Sequence, residues 1–71
     1  MSEWKFLAHG TKVNQLILAK HTPGGLIEKV AAAYPSKQGY VYKLYPVSYK
    51  GFKTITQHIK VSVHDINLKG A

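Results

Sequence analysis

The 71-residue chain contains no cysteine, no arginine and only three carboxylate side chains, Glu3, Glu28 and Asp65. Each shortage removes a class of function. Without cysteine there are no disulfides to support a small core, no thiolate metal ligands and no thiol nucleophile. Three scattered acids leave paired-carboxylate hydrolysis and magnesium-dependent nuclease chemistry without their groups. All ten basic residues are lysines. They act as mobile point charges rather than the planar forks that read guanine edges or grip a phosphate at two points, so any nucleic-acid binding is expected to be weakly selective.

Long apolar runs are missing as well. Stretches such as LILA, residues 16–19, fall far short of the roughly 20 residues a membrane span needs. The opening MSEWKFLAHG has an early glutamate and too short an apolar centre for a secretory signal. The expectation is a cytoplasmic protein with no membrane partner. No repeat, low-complexity run or linker interrupts residues 1–71, which are read as one domain.

What is present is basic charge on a globular composition. The formal net charge is +7 and the apolar share 45%, so the chain should fold and should attract polyanions. A chain this short hides only about 60% of the surface its unfolded form exposes, which leaves little room for both a core and a deep pocket. Its low charged fraction, 18%, is in the style of small bacterial or phage reading frames, with no motif behind the likeness.

Four segments emerge from periodicity. EWKFLAH, residues 3–9, alternates Trp4, Phe6 and Ala8 against Lys5, Leu7 and His9, which suits a strand, and Gly10 breaks it. VNQLILAKH, residues 13–21, fits either period, and its brevity and apolar centre favour a second strand pairing with the first. TPGGLIEKVAAAYP, residues 22–35, reads as a helix: Thr22 can cap it, Pro23 suits the first turn, Leu26, Ile27, Val30, Ala33 and Tyr34 form a stripe, and Pro35 ends it. The remainder reads as a hairpin turning at Lys50–Gly51, with Gly51 at positive φ and Tyr49 opposite Phe52.

Counting outward from that turn places Tyr40 opposite Val61, Tyr42 opposite Ile59, Leu44 opposite Gln57 and Pro46 opposite Ile55, a mainly apolar face. The other face pairs Val41 with Lys60, Lys43 with His58, Tyr45 with Thr56 and Val47 with Thr54. Pro46 cannot donate to a ladder, so the strand over 40–49 should be an edge or bend there. The expected fold is α+β, a small ββαββ domain with one helix packed on an antiparallel sheet.

The wet face carries the candidate site: Lys43, Tyr45, Tyr49, Lys50, Phe52, Lys53, His58 and Lys60. Between Glu28 and Asp65 there is no acid and there are six lysines. Cations that follow phosphates beside flat rings that accept unstacked bases are the means by which single strands are held. The glycine-aromatic signature of RRM domains, the GXXG loop of KH domains and zinc-ligand spacings are absent. The plainer alternative is that Tyr45, Tyr49 and Phe52 are ordinary cross-strand packing pairs.

Two further motifs carry less. TPGG at a helix start could cradle a phosphate, but it lacks the GKS or GKT ending and the GxGxxG spacing, so a simple cap is the better reading. Four histidines suggest metal, yet His58 and His64, read as lying on one strand, would stand roughly 20 Å apart. His9 and His21 alone would make a poor site. No metal or other cofactor is expected.

Three functions follow. The first is a non-enzymatic module that holds RNA or single-stranded DNA on the hairpin face. The second is an inhibitor or accessory factor, of the kind phages and mobile elements encode, that docks on an acidic protein surface, with a homodimer through the 40–49 edge as its self-complementary form. The third is a metal-independent ribonuclease using His58, Tyr45 and Lys60.

Overall fold

The computed structural model describes residues 3–71. Its six strands are β1 (Trp4–His9), β2 (Leu16–His21), β3 (Ile27–Pro35), β4 (Val41–Tyr45), β5 (Ile59–Ser62) and β6 (Ile66–Asn67), with a 3-10 turn, Val63–Asp65, before the last. They form one sheet in the order β5-β4-β3-β2-β1-β6. Neighbours are antiparallel except β1 and β6, which run parallel with Trp4 beside Ile66. No helix among the described residues is long and apolar enough to cross a membrane.

The connection between β5 and β6 forces this sheet to curl. The two strands occupy opposite edges, which a flat six-stranded sheet would separate by roughly 24 Å. The chain from Ser62 to Ile66 can reach only about 14 Å. The sheet therefore bends into a half-barrel whose inner face holds Trp4, Leu18, Ala31, Ala33, Leu44 and Ile55, with Tyr42, Val61, Ile66 and Leu68 packed against them. A second apolar cluster, Ile17, Ala19, Val30 and Ala32, lies on the outer face of the central strands, covered by Leu7, Ile27, Tyr45, Val47 and Tyr49.

β1 and β2 form within the expected segments and pair antiparallel, but a bulge between Phe6 and Ala8 breaks the expected alternation, so that Leu7 and Ala8 both pack against the outer cluster. The expected helix over 22–35 does not exist, and with it the α+β, ββαββ assignment and the phosphate cradle at TPGG are overturned. Residues 22–26 instead turn a hairpin into β3. Thr22 N–H donates to Leu26 C=O at 2.8 Å, Gly25 N–H donates to Thr22 C=O at 2.9 Å, and Thr22 Oγ1 accepts from Leu26 N–H at 3.2 Å. Gly25 holds φ 89°, which its lack of a Cβ permits. Thr22 thus accepts a backbone N–H as a cap would, but the turn it closes joins two strands.

The alanines of β3 explain why a strand wins. They sit in cross-strand rows of large, small and large residues: Leu16, Ala33 and Leu44 on the inner face, Ile17, Ala32 and Tyr45 on the outer. A strand buried on both faces carries a continuous apolar run, and such a run cannot be told from a buried helix by period alone. Alanine's helix preference, a few tenths of a kcal/mol per residue, is overridden by this packing.

The hairpin turn is where it was expected. Lys50 and Gly51 both take positive φ, 47° and 77°, and Phe52 N–H donates to Tyr49 C=O at 2.9 Å. The pairing beyond it differs. Tyr42 faces Val61, Lys43 faces Lys60 and Leu44 faces Ile59, a shift of two residues from the expected register. β4 ends at Tyr45, just before Pro46, whose missing N–H cannot extend the ladder. Residues 53–55 then pair with β3 instead: Val30 N–H donates to Lys53 C=O at 2.7 Å, and Ile55 N–H donates to Val30 C=O at 3.1 Å. Thr54 Oγ1 ties the excursion down, donating to Val30 C=O and accepting from Val47 N–H, both at 3.0 Å. Because the shift is even, every side chain of β4 and β5 keeps its expected face. The expected edge does not: β4 lies between β3 and β5, so no dimer can form through its 41–45 ladder.

Candidate functional site

The outer face of β3, β4 and β5 gathers rings and lysines. Lys43 and Lys60 are exposed and directly opposite each other across the β4–β5 pair, and Tyr34 of β3 is the next residue along that row. Tyr45, two residues from Lys43 on the same side, stacks on Tyr34 with centroids 5.4 Å apart and planes 15° from parallel. The exposed His58 ring meets Tyr45 edge-on at 5.9 Å. Sequence reasoning missed Tyr34 because it was assigned to a helix. As a strand residue, its spacing of two from Ala32 and four from Val30 would have placed it on this face.

A buried amide fixes the Tyr45 hydroxyl. Gln15, only 7% exposed, donates from Nε2 to Tyr45 Oη at 3.3 Å while its Oε1 accepts from Lys12 N–H, also at 3.3 Å. Gly10 makes this possible, since a Cβ there would lie 2.1 Å from Gln15 Oε1.

The other candidates stand around the turn. Tyr49 stacks on Phe52 at 6.4 Å, and Lys50 Nζ sits 5.4 Å from the centre of the Tyr49 ring, within cation–π range. Phe52 remains 41% exposed, whereas Tyr45 and Tyr49 are half-buried over the outer cluster. Thus Tyr45 and Tyr49 do pack against neighbours, as the plainer alternative holds, and the freer ring surface belongs to Phe52. Lys53 departs from the group: it borders a shallow hollow with Glu28 and Lys29, so an acid distant along the chain lies beside it in space.

Two of the three acids, Glu3 and Glu28, gather elsewhere. Glu3 and Glu28 line a hollow of about 590 Å³ together with Lys5, Lys20, His21, Thr22 and Pro23. Glu28 and Tyr34 are separated along β3 by roughly 20 Å at strand rise. Asp65 belongs to the 3-10 turn. His64 also lies in that turn rather than on one strand with His58, and His9 and His21 occupy opposite ends of the β1–β2 hairpin. Among the described residues no three histidine, aspartate or glutamate side chains converge as a metal site would require.

No family model, curated protein or solved structure matches this chain.

One titration reports on the ring pair. The Tyr34 phenol is raised above its ordinary value of 10.0, first by hydrogen bonding with the Tyr45 hydroxyl, then by desolvation and by the charge Tyr45 would carry. A raised phenol value favours the folded state below pH 10, and this contribution is lost as the pH climbs through the raised value. In an absorbance titration near 295 nm, the last tyrosine step should lie above the ordinary range, and Tyr45→Phe should lower it. An unchanged last step in that variant would show that the pair is not coupled.

Proposed function

We propose that this protein is a non-enzymatic module that holds single-stranded RNA or DNA on the outer face of β3, β4 and β5. The observation that carries the reading is the Lys43–Lys60 pair, two like charges directly opposite each other with no acid in their row, on the same face as Tyr34, Tyr45 and His58. Like charges so placed repel across a sheet, and a phosphate seated between them relieves the repulsion. Phe52 and the outer side of Tyr34 offer ring surface for bases, while Tyr45, held by Gln15, backs Tyr34. Lys50 extends the cationic track to the turn.

The test is a salt series with fluorescent 12-mers, single-stranded and duplex. Engagement of three or four phosphates predicts a slope of log affinity against log salt of about −2 to −3 for the single strand. Duplex should bind more weakly, because rings cannot stack on paired bases. A flat salt dependence would remove the reading. Labelled RNA incubated in EDTA should stay intact; cleavage would restore the ribonuclease built on His58, Tyr45 and Lys60.

A further inference from the structure

β5 ends the sheet: it pairs with β4 and, among the described residues, with no strand on its other side. The bond from Val63 N–H to Tyr40 C=O, 3.1 Å, identifies the backbone groups that remain. Antiparallel pairing alternates, so Ile59 and Val61 turn their N–H and C=O toward β4, while Lys60 turns both of its groups and Ser62 its N–H to the open side; the Ser62 carbonyl begins the 3-10 turn. The opposite edge, β6, offers only two residues.

The side chains of this edge are sorted as well. Ile59 lies on the inner face opposite the fully buried Leu44, yet it is 40% exposed. A shallow hollow beside it is lined by Lys29, Ile55, Thr56, Gln57 and Ile59. The inner core is therefore uncovered along β5. On the outer face stand Lys60 and, just before the strand, His58. A lysine in the middle of an edge strand opposes pairing with a second copy, and two copies at +7 each repel further.

We propose that β5 is a docking edge that takes an extended, acidic segment of a partner protein as a seventh strand. The partner's main chain bonds to Lys60 and Ser62. Its alternate side chains then divide, apolar ones beside Ile59 and Val61 and carboxylates beside Lys60. Backbone bonds supply the attraction in strand addition and the alternating side chains select the sequence. The acidic character follows from charge complementarity with Lys60 and its neighbour Lys43. This inference shares Lys43 and Lys60 with the nucleic-acid reading and differs from it in requiring open backbone groups rather than rings.

The experiment uses the full chain, labelled with ¹⁵N, and a synthetic peptide of about eight residues alternating glutamate with valine. In the free protein the Lys60 and Ser62 amides should exchange fast while those of Ile59 and Val61 are protected. Added peptide should protect Lys60 and Ser62, and methylating alternate peptide nitrogens should weaken binding about tenfold or more. Equal binding of the methylated peptide would overturn the proposal. So would protection of Lys60 and Ser62 that rises with protein concentration, which would give the edge to a second copy. Equal protection by a single-stranded oligonucleotide would overturn it too, by assigning those amides to the other ligand.

Discussion

Ala32→Asp should leave the protein unfolded at room temperature. Ala32 is fully buried on the outer face, in the row between Ile17 and Tyr45 and within the cluster that Val47 and Tyr49 cover. An aspartate there is too short to reach water. Burying it costs several kcal/mol even if it takes up a proton. A chain of this size has about 4–10 kcal/mol of total stability to lose. On a helix with Leu26, Ile27, Val30, Ala33 and Tyr34 inward, position 32 would point to solvent and the same substitution would cost about half a kcal/mol. Circular dichroism and the dispersion of amide resonances decide between the two. Ala32→Ser, which keeps the size, should remain folded with a stability loss of about 1–3 kcal/mol. A cooperative, near-parental melt for Ala32→Asp would refute the strand assignment of β3.

Lys43→Glu should move binding and stability in opposite directions. Opposite Lys60, a glutamate replaces repulsion with attraction, which stabilises a cross-strand pair by roughly 0.2–1 kcal/mol. The melting temperature should therefore hold or rise by a few degrees. Affinity for a single-stranded 12-mer should fall about tenfold or more at low salt. One cation is lost, a like charge now faces the phosphate, and the salt slope becomes shallower by about 0.7. Lys69→Glu changes the net charge equally but lies beside Lys5 and Asn67, outside the Lys43–Lys60 row. It should reduce affinity far less. If Lys43→Glu binds as tightly as Lys69→Glu, the outer face of β4 and β5 is not the interface.

How far the residues disclosed this arrangement depended on how each strand is buried. β1 was legible because Trp4, Lys5 and Phe6 alternate and Gly10 marks its end, although the bulge after Phe6 breaks the pattern. The Lys50–Gly51 turn was legible because a two-residue reversal needs residues that accept positive φ, and glycine supplies one. β3 was not legible. Val30 through Ala33 are all buried, so no wet side breaks the run, and Thr22, Pro23 and Pro35 punctuate a strand here as readily as a helix. The β4–β5 register was missed by two residues because 53–55 leave the hairpin for Val30, a tertiary choice that no local pattern records.

The candidate face survived that error through parity alone. An even slip returns each side chain to its own side, so Lys43, Tyr45 and Lys60 stayed together; an odd one would have sent them inward. Tyr34 was lost with the helix, and Lys53 was grouped with the rings although Glu28 stands near it in space.

The parallel pairing of Trp4 with Ile66 also orders events during synthesis. β1 to β4 each pair with a neighbour in sequence and can zip together as they leave the ribosome, but the far side of β1 stays bare until residues 66 and 67 emerge. Joining segments so distant along the chain is the slow kind of folding step. Until it happens Trp4 and Lys5 leave their backbone groups on an open rim, and chaperone capture or clumping of unfinished chains would act in that interval.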